Sequence, residues 1–337
     1  MKLFILLLLF FTALVKAEDY ELGHGLKIND ALNLGGYFSV DYARGKTEDK
    51  ARLDDVAFLA YGSLSPKFSY LVELEAAPFY VQDYENSYNE LNMKFHIERG
   101  YLNYMYSDLY NVRLGKFITP IGYWNLIPIN VLRDTSSNPL YSYKMFPKFV
   151  TGVDVNGYLN EDATVKYHVY FQGTDDIDEE YINIKNDLFI ATSLDYEPTD
   201  ELSFGSSLGY FQTKEGLLPQ EAYKEVSLVQ ANAKYDSYPY TLQTEWAYTN
   251  INNKTYNTKD YQFGGYLQGM YNLSEKHAIV SRYEYFKDTQ EYSKADNHIG
   301  VIGYSYRPMY SVSLKAEYQF NSDSDLSKSI VSFSVLF

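Results

Sequence analysis

From about residue 31 to its end the chain alternates apolar and polar side chains with a period of two, the spacing that puts successive residues on opposite faces of a strand. Two segments show it most plainly. Val165, Tyr167, Val169 and Phe171 alternate with Lys166, His168, Tyr170 and Gln172, and Val312, Leu314, Ala316, Tyr318 and Phe320 alternate with Ser313, Lys315, Glu317 and Gln319. The same template fits sixteen segments, near 31–43, 51–63, 67–80, 93–106, 109–118, 148–159, 163–173, 187–197, 201–213, 224–236, 239–250, 259–272, 277–287, 297–307, 310–321 and 327–337. A tilted strand crossing a membrane needs roughly 9–11 residues, so each segment is long enough with some overhang. One face of each suits lipid and the other is polar, which fits a water-filled lumen better than a packed core.

The connections alternate in length. Every second one is short and turn-like: Ser65-Pro66-Lys67, Ser107-Asp108, Asn160-Glu161-Asp162, Pro198-Thr199-Asp200, Asp236-Ser237-Tyr238-Pro239, Asn272 to Lys276, and Arg307-Pro308-Met309. The intervening connections are mostly longer and more polar. This asymmetry predicts an all-β fold, a closed antiparallel transmembrane barrel of about sixteen strands with short periplasmic turns and longer external loops. Both termini then lie on the periplasmic side, and 31–337 is the barrel. Residues 18–30 read as a short periplasmic lead-in, of which 25–29 could add to a strand.

The two ends of the chain bear on its destination. Lys2 is followed by an apolar run from Leu3 to Val15, too short to span a membrane as a helix, with Val15 and Ala17 at the −3 and −1 positions of a cleavage site. Residues 1–17 are therefore expected to be a cleaved secretory signal. At the other end Val331, Phe333, Val335 and Phe337 share one face of a final strand, expected to meet lipid. That ending resembles the carboxy-terminal signal of Gram-negative outer-membrane β-barrel proteins, and the resemblance implies that Phe333, Val335 and Phe337 are read by the barrel-assembly machinery.

Composition supports a barrel and excludes other classes. Thirty-seven Tyr and twenty Phe against two Trp exceed the needs of one core but would furnish aromatic girdles at two membrane interfaces. There is no Cys, so no disulfide staples the exported chain; a closed hydrogen-bonded barrel needs none. A net charge of −15 argues against nucleic acid as a partner.

Glu98-Arg99-Gly100-Tyr101-Leu102-Asn103-Tyr104 and Val112-Arg113-Leu114-Gly115-Lys116-Phe117-Ile118-Thr119-Pro120-Ile121-Gly122, with Arg52-Leu53-Asp54-Asp55 and Phe68 to Leu74 upstream, resemble the porins of the phosphate-selective O and P family. The likeness covers about the first half of the barrel and the terminal Phe. It implies an outer-membrane porin in which the third external loop folds into the barrel. By position that loop is 119–147, a mixed apolar and polar segment with prolines at 120, 128, 139 and 147. Its Arg133, Asp134 and Lys144 are then the charges expected on the pathway; an external cap or a subunit contact is the other use for such a segment.

The family's row of inward cations does not carry over. Taking the polar face of each strand inward gives Arg52, Arg99, Arg113, Lys166, Lys234, Arg282 and Lys315 against Asp54, Glu73, Glu75, Asp154, Asp195, Glu245, Glu284 and Glu317, which nearly cancel. Bulges would shift this parity most readily near Glu98/Arg99 and Arg113/Lys116. The expected pore-lining set is Arg52, Asp54, Glu73, Glu75, Arg99, Arg113, Lys116, Arg133, Asp134, Lys166, Arg282 and Glu284.

The expectation is a passive diffusion channel for small hydrophilic solutes and ions, with a weak cation preference set by acidic loops such as 175–180 and 323–325. Those acidic runs serve equally for solvation or for divalent bridging to lipopolysaccharide. The alternatives are an anion or phosphate passage and a barrel whose loops serve adhesion. Five His without a nucleophile motif, Cys or metal-ligand spacing predict no enzyme, no metal and no cofactor. The expected partners are outer-membrane lipid, lipopolysaccharide and the assembly machinery, with a homotrimer left open.

Overall fold

The computed structural model describes residues 22–107, 109–181, 183–216 and 221–337, so the expected signal at 1–17 and the start of the lead-in lie outside the described residues. Among these residues sixteen long strands form one antiparallel sheet: β1 (Leu32–Gly45), β2 (Asp49–Ser65), β3 (Phe68–Ala76), β4 (His96–Ser107), β5 (Tyr110–Ile118), β6 (Phe149–Tyr158), β7 (Val165–Gln172), β8 (Asn186–Thr199), β9 (Leu202–Thr213), β10 (Lys224–Ser237), β11 (Tyr240–Asn253), β12 (Thr258–Ser274), β13 (His277–Asp288), β14 (Ala295–Met309), β15 (Val312–Asn321) and β16 (Lys328–Leu336). Each pairs with the next, and β16 pairs with β1 from Lys328 opposite Gly45 to Leu336 opposite Tyr37. The sheet is a closed barrel with no free edge, which is how strands satisfy their backbone groups in lipid. No helix among the described residues is long and apolar enough to cross a membrane.

The closing seam ends on the terminal residue. The Phe337 N–H donates to Gly36 O and the Gly36 N–H donates to Phe337 O, both at 2.8 Å, which extends the ladder one residue past β16. Gly36 is needed here: a Cβ would stand 2.7 Å from the Phe337 ring. This corrects one expectation. Val331 and Phe333 are exposed on the outer face, but Val335 and Phe337 are only 3 % and 9 % exposed and so are not presented to lipid.

Two boundaries also differ from the alternation pattern. β3 stops at Ala76, two residues before Pro78, and the expected continuation to residue 80 turns into an external hairpin, Tyr80–Asp83 against Tyr88–Leu91. That hairpin pairs with Lys50 to Leu53 at the loop end of β2. At the opposite end Leu26–Asn29 pairs with β1, so part of the lead-in joins the sheet.

On the outer surface Tyr235, Tyr240, Tyr271 and Tyr304 lie near the short turns, and further toward the loops Tyr248, Tyr283 and Tyr318 stand exposed directly opposite Val229, Leu267 and Ile302 of the neighbouring strands. Exposed aromatic and aliphatic side chains together make a surface suited to lipid and its interfaces. The inner surface is not uniformly polar, as the alternation had suggested. Phe189, Phe211, Val226, Leu228, Ile251 and Phe286 point inward from β8–β13 and pack with Ile121, Trp124, Tyr141, Met145 and Phe146 of the β5–β6 connection. An apolar patch on the wall is what gives that connection a dry surface to lie on.

Candidate constriction site

The β5–β6 connection, residues 119–148, is tied to the wall by charged side chains that match its backbone groups. The Glu245 carboxylate accepts from the N–H groups of Tyr123 (3.0 Å) and Trp124 (2.8 Å) and from the hydroxyls of Tyr141 and Tyr266. Gly122 sits at φ +67°, and a Cβ there would collide with Glu245 Oε2, so only glycine lets the backbone turn this close to the wall. Glu284 accepts from Leu140 N–H at 3.0 Å, and Glu317 accepts from Ser136 and Ser137 N–H at 2.9 and 3.0 Å. Cations of the wall take carbonyls and side-chain oxygens: Arg307 donates to Val131 O and Arg133 O, Lys315 to Asn130 O and Oδ1, and Arg282 to Ser137 O and Oγ and to Thr135 Oγ1. Irregular backbone inside a barrel is tolerated only when its polar groups are met in this way. Glu245→Ala should leave two backbone donors and two phenols unmet, at a cost on the order of 3 kcal/mol. The expected result is a lower melting temperature together with new proteolytic cleavage within 119–148; an unchanged protease pattern would show that Glu245 does not hold the segment.

With one half of the lumen occupied by this packing, a cavity of about 440 Å³ remains between the segment and the wall of β13–β16 and β1–β4. Six carboxylates border it, those of Asp41, Asp54, Asp55, Glu75, Glu98 and Glu284, against the cations of Arg52, Arg133, Lys148 and Lys328. Several are paired. Arg52 meets Asp41 at 2.9 Å and Glu48 at 2.9 Å, Lys328 meets Glu48 at 2.7 Å, Lys148 meets Glu98 at 3.2 Å, and Glu284 meets Arg282 at 2.8 Å. Asp54, Asp55 and Glu75 on one side and Arg133 on the other have no ion pair within 4 Å among the described residues; Asp55 is bonded to Ser39 Oγ (2.8 Å) and Glu75 to Tyr37 Oη (3.2 Å).

The expected pore-lining residues divide into three groups. Arg52, Asp54, Glu75, Arg133 and Glu284 border the cavity. Glu73 with Arg99, Arg113, and Lys166 are on the inner face but not at the cavity: Arg99 pairs with Glu73, Arg113 donates to Asn103 Oδ1 at 2.8 Å, and Lys166 shares the inner face of β7 with His168 toward the short-turn end. Asp134 and Arg282 are used as fasteners, Asp134 accepting from Gln268 at 3.0 Å, while Lys144 borders a separate cavity nearer the loops. Lys116 is a correction. It stands three residues from Arg113 on a strand without a bulge, so the two take opposite faces.

Lys116 is nonetheless fully buried, because Asp176, Asp178 and Tyr181 of the β7–β8 connection lie over it. Asp176 pairs with its ammonium at 2.8 Å. The β4–β5 ladder ends at Gly100 opposite Lys116, and beyond it Ile97 N–H donates to Asp178 (3.0 Å) instead of to β5. Burial alone would raise the Asp178 carboxyl; the hydrogen bonds from His96 and Ile97 N–H outweigh it and hold the group below the ordinary carboxylate range.

Asp41, Asp55, Glu98, Lys148 and Lys328 border the cavity without having been singled out from sequence. Two of them follow from bulges. Ser39 of β1 faces both Asp54 and Asp55, and Glu98 is the extra residue between Arg99 and Ile97 opposite Glu73 and Leu74, so neighbours in sequence reach the same face. The signal was present in the Asp54-Asp55 and Glu98-Arg99 pairs, where two consecutive charges break the alternation.

The family described as beta-barrel porin-2, OmpL-like, matches residues 63–328. Among solved structures, OmpT of Vibrio cholerae in its trimer form is similar at TM-score 0.66 and 10 % identity, over 91 % of this chain and 99 % of that one. An anion-selective porin from Comamonas acidovorans is similar at TM-score 0.65 and 11 % identity, over 91 % and 99 %. The outer membrane channel DcaP of Acinetobacter baumannii is similar at TM-score 0.63 and 14 % identity, over 93 % and 99 %. At such identities the likeness is one of fold. No curated protein matches the sequence.

Proposed function

Because the chain belongs to the OmpL-like beta-barrel porin-2 family and is an outer-membrane porin, we propose that it is a passive diffusion channel for small hydrophilic solutes, narrowed by residues 119–147 and mildly selective for cations. The single observation that carries the selectivity is the charge left over at the cavity: Asp54, Asp55 and Glu75 against Arg133. Paired charges cancel at short range, so the unpaired ones bias which ions enter. The acidic loops and the net charge of −15 add a longer-range attraction for cations. A phosphate-type passage, which a relation to porins O and P would imply, needs unpaired cations at the narrowing, and Arg133 is the one cavity-lining cation without an ion pair among the described residues.

The reversal potential under a salt gradient tests this. Cations should pass better than anions by a factor of a few, and the bias should shrink near 1 M salt, where the screening length is only about 3 Å. Asp54→Asn with Glu75→Gln should remove most of the preference. Strong anion preference in the parent channel would refute the cation reading and favour the anion alternative. In the same proposal the outer aromatic and aliphatic side chains contact outer-membrane lipid, the loops contact lipopolysaccharide, the last strand engages the assembly machinery, and three copies associate, as OmpT does in its trimer form.

A further inference from the structure

The short helical turn Tyr141–Lys144 of the inward segment is fixed by buried neighbours. Tyr141, Ser142, Met145 and Phe146 are all buried, with the Tyr141 hydroxyl bonded to Glu245 and Ser142 Oγ donating to Pro139 O at 2.8 Å. Tyr143, in their midst, is turned the other way and is 42 % exposed. Two cavities border it. One is the constriction cavity of about 440 Å³, and the other, of about 880 Å³, opens among the long loops. Tyr143 is the one residue among those described that borders both, so a solute crossing from one to the other passes it. The other aromatic residues at the constriction, Trp124 and Tyr181, are only 4 % and 6 % exposed and offer a solute little surface. Lys144 Nζ lies 5.6 Å from the centroid of the Tyr143 ring, but it borders the loop-side cavity and not the constriction.

We propose that Tyr143 is a specificity-determining residue of the passage: its ring holds organic ammonium ions as they enter the constriction, so that the channel favours them over neutral solutes of the same shape. The inference rests on the cation-preferring reading given above and names the class of cation. The face of an aromatic ring carries negative charge density and attracts a cation, the more strongly the less water stands between them. A quaternary ammonium, which sheds its water readily, gains most from such a ring; a small alkali ion keeps its water and gains less, and an anion is repelled from the face. Asp54 and Asp55 border the same cavity, each only partly buried and neither in an ion pair, so a cation leaving the ring meets accessible carboxylates.

The test is the block of potassium current through single channels of the full-length protein in planar bilayers, at constant ionic strength, by choline and by 3,3-dimethyl-1-butanol, which has the shape of choline without its charge. Choline should half-block at a concentration about fivefold or more below that of the alcohol. Equal block by the two overturns the proposal. Tyr143→Phe keeps the ring and should be blocked by choline as the parent is. Tyr143→Leu keeps much of the bulk without the ring and should raise the half-blocking concentration of choline about fivefold. A Leu variant as sensitive as the parent overturns the proposal, because the side chain then only fills space. If Tyr143→Leu does not fold, the comparison of choline with the alcohol on the parent channel decides the matter by itself. The reversal potential of the parent in a potassium chloride gradient separates the two claims: cation preference with an insensitive Leu variant sinks this inference alone, whereas anion preference refutes the reading beneath it and with it the favouring of ammonium ions.

Discussion

Excising residues 121–146, with a short glycine linker between Pro120 and Pro147, should raise the unit conductance several-fold. The segment fills the half of the lumen lined by β8–β13 and supplies Arg133 to the remaining cavity, so its removal widens the passage and takes away a cation. The barrel should survive, because none of the sixteen strand pairings involves these residues. Its yield should fall, since Phe189, Phe211 and Phe286 would then face water; burying one such side chain is worth roughly 1.5–3 kcal/mol. Salt bias should also move further toward cations. A variant that assembles and conducts like the parent would show that the segment does not narrow the path.

Deleting Phe337 should strongly reduce the amount of barrel that reaches the outer membrane while changing the conductance of assembled channels little. The two effects separate because the residue contributes only a small part of the seam. Phe337 exchanges two hydrogen bonds with Gly36, worth about 1 kcal/mol each, beside nine other register pairs between β16 and β1. An equilibrium loss of that size would not empty the membrane. A large loss would instead place the effect in delivery or closure of the last strand. Heat-modifiable mobility on gels, with quantification of the membrane fraction, checks it; parental levels of folded barrel would contradict the assembly role.

The closed barrel, its sixteen strands and the position of its turns were legible because they rest on a period of two sustained over three hundred residues, and a water-and-lipid environment enforces that period on every strand. The loop ends were less legible. Pro78 ends β3 early, and the residues beyond it still alternate because they form a hairpin of their own. Inner-face charges were legible where strands are regular, as with Arg52, Glu75 and Glu284, and the bulge at Glu98/Arg99 falls where the paired charges pointed to one, but the bulge that sets Asp54 and Asp55 side by side was not read. Lys116 was misplaced for the converse reason, an assumed slip in a strand that has none. The pairing of Glu245, Glu284 and Glu317 with backbone N–H groups of residues 123–140 could not be read from the chain at all. Those carboxylates looked like pore charges, and what distinguishes a fastener from a pore charge is a contact across more than a hundred residues of sequence.

The account stands or falls on whether an open, water-filled passage runs past residues 119–147. Single-channel recording of the purified protein in planar bilayers, with neutral polymers of graded size added to the bath, measures this directly. The expected result is discrete ohmic steps that rise with salt concentration and are lowered by small polymers but not by large ones. A correctly folded, heat-modifiable barrel that gave no conductance steps would contradict it, and would mean that the segment seals the barrel instead of narrowing it.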